Sequence, residues 1–393
     1  MTDGSGRRIA VVAALAVAAA AFAVVFSARH GFFDLRVYRG AVEYWARDGG
    51  MLYDYVNPNT RYGFTYPTFA GLVMLPMAYL PWWLVMAVSV AATVVVTVVL
   101  VWRLVAPLAR RQGWLVWFAV AVALCLLIAF EPMRETVTFG QVNMLLLGLV
   151  AADLLWGLPN GRAWAGVGIG LATAVKLTPG VFIVYRLVTR RFRAAFVAMG
   201  TAAAATLLTA AVAPAASREF WTDALWDTDR VGNLAFVSNQ SLRGLVARLD
   251  APSWLWLLLV LAVVAFWAWR VRGASYASGL ALTGVLGCLV SPVTWVHHLV
   301  WLIPALILLV DAAVRTRRLA PLLLAAVAYG VLCSRAVWLW FDGRIHGFDG
   351  FLGSNAYVLT SLALLVFLPV VRTSADDGGV PDLVEGDRVA SAR

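Results

Sequence analysis

Apolar runs close to twenty residues long recur along most of this chain, and stretches such as 83–105, 194–213 and 253–270 hold at most one charged residue each. A run of about twenty residues is what a helix needs to cross a ~30 Å hydrocarbon layer. An element in lipid must satisfy its own backbone, which leaves helices or a closed barrel. The runs are continuous and do not alternate, so helices are the consistent reading. The balance of residue types agrees: 62% of the 393 residues are hydrophobic and only 13% are charged. Soluble domains carry nearer a quarter charged residues, so no water-soluble fold hides this much apolar surface.

The sequence therefore predicts an all-α polytopic membrane protein. Spans are expected near 9–27, 83–105, 114–130, 141–157, 162–176, 179–190, 194–213, 253–270, 276–290, 297–314, 320–338 and 355–372. That is about 12 transmembrane helices. The segment 67–80 is too short to cross and contains Pro76, so it reads as a dip. The pair 162–176 and 179–190 is also short and reads either as two crossings or as a deep hairpin. The first run competes with a cleaved signal peptide, but its length favours an uncleaved helix. Residues 1–372 read as one membrane-embedded domain, and 373–393 as a disordered polar tail.

The net charge of +10 excludes little by itself. The basic residues lie in short loops between apolar runs, which points to membrane orientation and not to nucleic acid. Arg7 and Arg8 put the N-terminus, and by parity the C-terminus, in the cytoplasm. On that assignment 18 of the 31 basic residues fall in mostly very short cytoplasmic segments. Long loops at 28–66, 214–252 and 339–354 then face outward. Trp82, Trp83, Trp114, Trp254, Trp256 and Trp301 lie near span ends, where interfacial anchors belong. Cys125, Cys288 and Cys333 have no metal-ligand spacing, and neither a disulfide framework nor a metal site is expected.

Five polar groups fall on the expected outer face. Asp34 follows the first span and precedes a potential amphipathic helix, Leu35 to Asp48. It reads either as a general base or as that helix's N-cap. The link between the third and fourth spans packs Glu131, Arg134, Glu135, Gln141 and Asn143 into a short stretch. It reads as a cavity lining or as an ordinary loop with an Arg–Glu pair. Lys176 is the only lysine in the chain and precedes Pro179, which suits a first helical turn. Its ammonium could meet a phosphate or snorkel to the interface. The segment around Asp229, Asn239, Gln240 and Arg243 offers the amides and guanidinium that sugars and phosphates need. His297 and His298 are adjacent, hence about 100° apart on a helix and a poor metal chelate. One of them could donate to a leaving phosphate.

Short pieces in a fixed order carry a resemblance. Asp34-Leu35-Arg36-Val37-Tyr38, Phe64-Thr65-Tyr66-Pro67, Gly140-Gln141-Val142-Asn143, Val175-Lys176-Leu177-Thr178-Pro179, Ser238-Asn239-Gln240-Ser241 and Ser291-Pro292 through His297-His298 span roughly residues 30–305. Together they resemble glycosyltransferase family 87 of the membrane-embedded GT-C superfamily. Glu131-Pro132, Asp229-Arg230-Val231-Gly232 and Ser241-Leu242-Arg243-Gly244 resemble the branch acting on phosphatidylinositol mannosides. The sequence departs at Thr68, where the family often has a second proline, and beyond residue 310.

The resemblance implies a GT-C type fold with an extracytoplasmic active site in the plasma membrane. It implies inverting α-1,2 transfer of mannose from a polyprenyl-phosphate-mannose donor to a glycolipid acceptor within membrane lipid, without a cofactor. Asp34 is then the base. Lys176, His298, His297 and Arg243 are candidates for the donor phosphate, His298 before His297. Tyr38, Tyr66, Glu131, Arg134, Glu135, Gln141, Asn143, Asn239 and Gln240 are candidates for substrate contact. Two alternatives stand beside this: a polyprenyl-phosphate-arabinofuranose-dependent transferase, and a transporter of lipid-linked sugars. A transporter is expected to show an internal repeat and mid-membrane polar residues on broken helices. Neither is evident in the sequence.

Overall fold

The computed structural model describes residues 3–28, 30–227, 230, 232–341 and 347–372. The expected tail at 373–393, and Asp229 and Val231, lie outside the described residues. The described chain is helical, with only two isolated bridges, Val56 with Gly63 and Ala274 with Arg372. In order the helices are α1 (Asp3–Phe26), α2 (Phe33–Ala46), α3 (Thr68–Met74), α4 (Trp82–Arg111), α5 (Val116–Ala129) and α6 (Glu131–Phe139). There follow α7 (Asn143–Ala152), α8 (Val167–Val175), α9 (Val181–Val188), α10 (Phe192–Val212), α11 (Pro214–Glu219) and α12 (Leu242–Arg248). The last six are α13 (Ser253–Val271), α14 (Tyr276–Val290), α15 (Ile303–Thr316), α16 (Leu319–Cys333), α17 (Gly347–Ser354) and α18 (Ala356–Phe367).

This is a multi-pass membrane protein. Among the described residues five helices are long and apolar enough to cross a membrane, seven if two bent pairs each count once. One bent pair is α5 with α6, which meet at 70°. The pair α8 and α9 has nine and eight residues. At 1.5 Å per residue neither reaches across a ~30 Å layer alone. The segment 67–80 likewise forms only α3 and a following single turn.

One large apolar core joins α4, α7, α8, α9, α14, α15 and α18. A second, smaller core lies under α2 and α3, around Leu35, Tyr38, Val42, Leu52, Phe64 and Tyr66. The amphipathic pattern after Asp34 accounts for it, because α2 buries Leu35, Val37, Tyr38, Ala41 and Val42 on one face. That face packs on α3 and the turn after it.

Two expectations change here. Trp301 is not an interfacial anchor: it is 7% exposed and packs its ring 5.5 Å from Phe182. Glu131–Phe139 is not a surface loop but α6, with Glu131 through Thr136 all buried. Its helical pattern covers only nine residues, and most of its buried side chains are polar, so hydropathy marked no helix there.

Candidate active site

Asp34 lies in the first turn of α2, but it does not cap it. Phe32 holds the cap position in a left-handed conformation, with no side-chain hydrogen bond. The Asp34 carboxylate points elsewhere, and its Oδ2 accepts from Gln141 Nε2 at 2.6 Å. Gly140 makes this approach possible. Its φ is +72°, and a Cβ there would come within 2.6 Å of Leu35 Cβ. The turn that ends α6 can therefore abut the start of α2 and aim Gln141 at Asp34. Phe32 N–H donates to the Thr138 carbonyl at 2.8 Å and closes the same junction.

A chain of hydrogen bonds runs on from Gln141. Its Oε1 accepts from Tyr66 Oη at 3.1 Å and from Asn143 Nδ2 at 3.3 Å. Tyr38 and Tyr66 share a bond of 2.9 Å between their hydroxyls. Lys176 Nζ donates to Asn143 Oδ1 at 3.1 Å and to Tyr66 Oη at 3.3 Å, and lies 2.9 Å from His298 Nε2. Pro179 sits in the turn 178–180 that leads into α9, as the sequence predicts. Residues from the first loop, α6–α7, the α8–α9 tip and the 291–298 turn thus meet at one place.

The last contact has a chemical consequence. Trp295 N–H donates to His298 Nδ1 at 3.0 Å. In the neutral ring the proton then sits on Nε2, which presents a donor toward Lys176. An ammonium has no lone pair to receive it. Two donors converge on a point that lacks an acceptor, which is what an anion oxygen supplies. Beside them is a narrow cavity of ≈ 20 Å³, lined by Asn143, Lys176, Pro179, Cys288 and His298 among others.

Burial dominates the electrostatics at Asp34. It raises the carboxyl to about 6, against the lowering effects of the Gln141 hydrogen bond, Lys176 and His30. A carboxylate poised there is a competent base near neutral pH.

Other candidates sit differently. The His297 carbonyl accepts from Thr136 Oγ1 at 3.0 Å, while its own Nε2 is buried without a partner among the described residues. Only His298 meets Lys176. Glu135 pairs with His30 at 3.1 Å, and the His30 ring stacks on Phe139. Glu131 is committed to Trp338 Nε1 at 2.7 Å and to the Tyr357 hydroxyl. Arg134 lies under α1, 5.0 Å from the Phe22 ring. The Arg–Glu pair of the ordinary-loop alternative does not form among the described residues. Arg243 packs over the Trp256 ring at 5.1 Å and is not among the partners of Lys176.

Asn239 and Gln240, expected to touch substrate, have nothing left to offer one. Asn239 Nδ2 donates to the Leu234 and Pro292 carbonyls, and its Oδ1 accepts from Thr294 and Ser241 N–H. Gln240 bridges the Val237 and Ser354 carbonyls and accepts from Tyr357 and Val358 N–H. Both are fully buried struts that hold the 238–241 segment against the 292–294 turn and α18. His30 and Trp295, which sequence reasoning passed over, contribute through a ring placed by folding and a backbone N–H. Neither leaves a mark in local sequence.

The sequence profile of glycosyltransferase family 87 matches residues 64–292. A relative in Mycolicibacterium smegmatis is 32% identical over 380 residues, covering 88% of this chain and 85% of that protein. It is described as a polyprenol-phosphate-mannose-dependent alpha-(1-2)-phosphatidylinositol mannoside mannosyltransferase. A protein of the same description from Mycobacterium tuberculosis is 34% identical over 316 residues, covering 73% of this chain and 72% of its own. A second M. smegmatis relative, described as acting on phosphatidylinositol pentamannoside, is 34% identical over 309 residues, covering 74% and 72%. No solved structure matches the chain.

Proposed function

The chain belongs to glycosyltransferase family 87, and on that premise we propose that it transfers mannose from polyprenyl-phosphate-mannose to a phosphatidylinositol mannoside. The transfer is inverting and makes an α-1,2 linkage. Asp34 takes the proton of the acceptor's 2-hydroxyl as that oxygen attacks the anomeric carbon. The bond from the anomeric carbon to the phosphate oxygen breaks, and polyprenyl phosphate leaves with its electron pair. Lys176 and His298 Nε2–H receive the developing charge, as preorganised donors do at other leaving groups. The site faces outward, with both termini in the cytoplasm and residues 1–372 as one catalytic domain.

One observation carries this reading. A half-buried carboxylate and a converging pair of cationic and imidazole donors are linked by Gln141, Asn143 and Tyr66 in one hydrogen-bonded chain. A glycosyl transfer from a phosphate needs both ends. Relatives at almost equal identity act, by their descriptions, on differently mannosylated acceptors. The decisive assay therefore presents purified protein with polyprenyl-phosphate-mannose and a panel of phosphatidylinositol mannosides, read by mass spectrometry. A product heavier by one hexose is expected. Movement of labelled lipid across a bilayer without any hexose transfer would replace the enzyme reading with transport.

A further inference from the structure

Arg134 is a buried cation with no carboxylate in hydrogen-bonding contact among the described residues. It is 7% exposed, and its Nε and Nη1 find no acceptor among the described residues. Nη2 makes one long contact, 3.5 Å to the Cys333 carbonyl. Leaving charged donors buried and unmatched is costly. The carboxylates on its own helix act on it through space, but their oxygens are bonded elsewhere. Glu131, one turn earlier, is held by Tyr357 and Trp338, with Arg335 Nε at 3.6 Å. Glu135 is held by His30.

The end of α1 closes over this region. Phe22 covers the Arg134 guanidinium face, and the Phe26 carbonyl accepts from Arg335 Nη1 at 2.6 Å. The main packing partner of α1 is α5, and most of its apolar length stays on the protein surface. A helix held along one side can yield at its end.

The geometry points to Arg134 as the seat of a lipid phosphodiester, the acceptor's own phosphate, entering beneath the end of α1 with Arg335 beside it. The guanidinium edge at Nε and Nη1 matches two phosphate oxygens in a fork that an ammonium cannot present. The same short helix reaches the catalytic end, because Glu135 bonds His30 just before Asp34. A phosphate fixed at Arg134 thus restrains the acceptor through a group that does not react, which is how binding contacts orient a substrate. The identity of the lipid rests on the proposed transfer; the phosphodiester site itself does not.

The test is direct binding to the full-length protein in nanodiscs of zwitterionic lipid. The probes are a phosphatidylinositol mannoside, the same mannoside on diacylglycerol without phosphate, and polyprenyl phosphate. Wild type is expected to bind the phosphodiester at least tenfold more tightly than its phosphate-free counterpart. Arg134→Gln is expected to erase that difference. Arg134→Lys, a second variant should the first not fold, keeps the charge without the fork and is expected to narrow it. Equal binding of both mannosides by wild type, or an undiminished difference in a folded variant, overturns the site. So does a loss confined to polyprenyl phosphate, which would assign Arg134 to the donor. Wild type that binds the phosphodiester but transfers no mannose would refute the function reading while upholding this site.

Discussion

Asp34 and Glu131 are both carboxylates drawn out of water near the start of a short helix, yet their surroundings differ. Asp34 accepts one hydrogen bond among the described residues, from a neutral amide. Glu131 accepts from an indole and a phenol and lies 3.6 Å from a guanidinium. Its partners come from the segment after α16 and from α18, so it ties those elements to α6. The difference teaches what would set the proposed base apart from a structural carboxylate. It is an oxygen left free to accept a further hydrogen bond, because a group whose oxygens are all engaged serves as a joint.

The contrast breaks first at Asp34→Asn. The substitution keeps shape and removes proton affinity. Transfer from polyprenyl-phosphate-mannose should fall by roughly 10²–10⁴-fold, the usual worth of general-base help, with an unchanged thermal midpoint. Substantial turnover by the variant would remove Asp34 from its role. Next comes Lys176→Met, which deletes the cation at the other end. A preorganised donor at developing charge is typically worth about 10²–10³ in kcat. A variant that lost only affinity for acceptor, with kcat intact, would contradict the assignment to the leaving phosphate.

Glu131→Ala should show the opposite signature. It strands the Trp338 N–H and the Tyr357 hydroxyl in a buried setting, at about 1–3 kcal/mol for each donor left unmatched. The readout is a lower thermal midpoint, with any surviving activity keeping the wild-type pH profile. A stable variant with selectively lost turnover would make Glu131 part of the chemistry and dissolve the contrast.

How far the sequence spoke also divides along this line. Asp34, Gln141, Asn143, Lys176 and His298 stand in short ordered pieces, and those pieces meet in space. The membrane body was legible because hydropathy is a property of each run alone. Glu131 stood out as polar and in a family piece, but its role as a joint was not legible, since its partners Trp338 and Tyr357 lie 207 and 226 residues away. Proximity inside the segment suggested an Arg–Glu pair, and long-range packing overrode it. Asn239 and Gln240 looked like ligand residues for a similar reason: an amide serves a sugar or a backbone equally well, and only the fold decides which.

The finest test concerns Gln141, whose effect should be small and specific. Burial holds the Asp34 carboxyl up near 6, and the Gln141 N–H opposes this by stabilising the anion. Only the deprotonated carboxylate can accept the acceptor's proton, so kcat/KM should decline as pH falls through the Asp34 pKa and level off above it. Gln141→Leu removes the stabilising donor, and the pKa must then rise. The acid limb should move to higher pH, leaving the largest deficit on the acid side and a partial recovery in alkaline buffer. The same profile in Glu131→Ala should keep its limb in place, because Glu131 bonds to neither Asp34 nor Gln141. A limb that stayed fixed in Gln141→Leu, or moved toward acid, would show that the amide does not set the proton affinity of the proposed base.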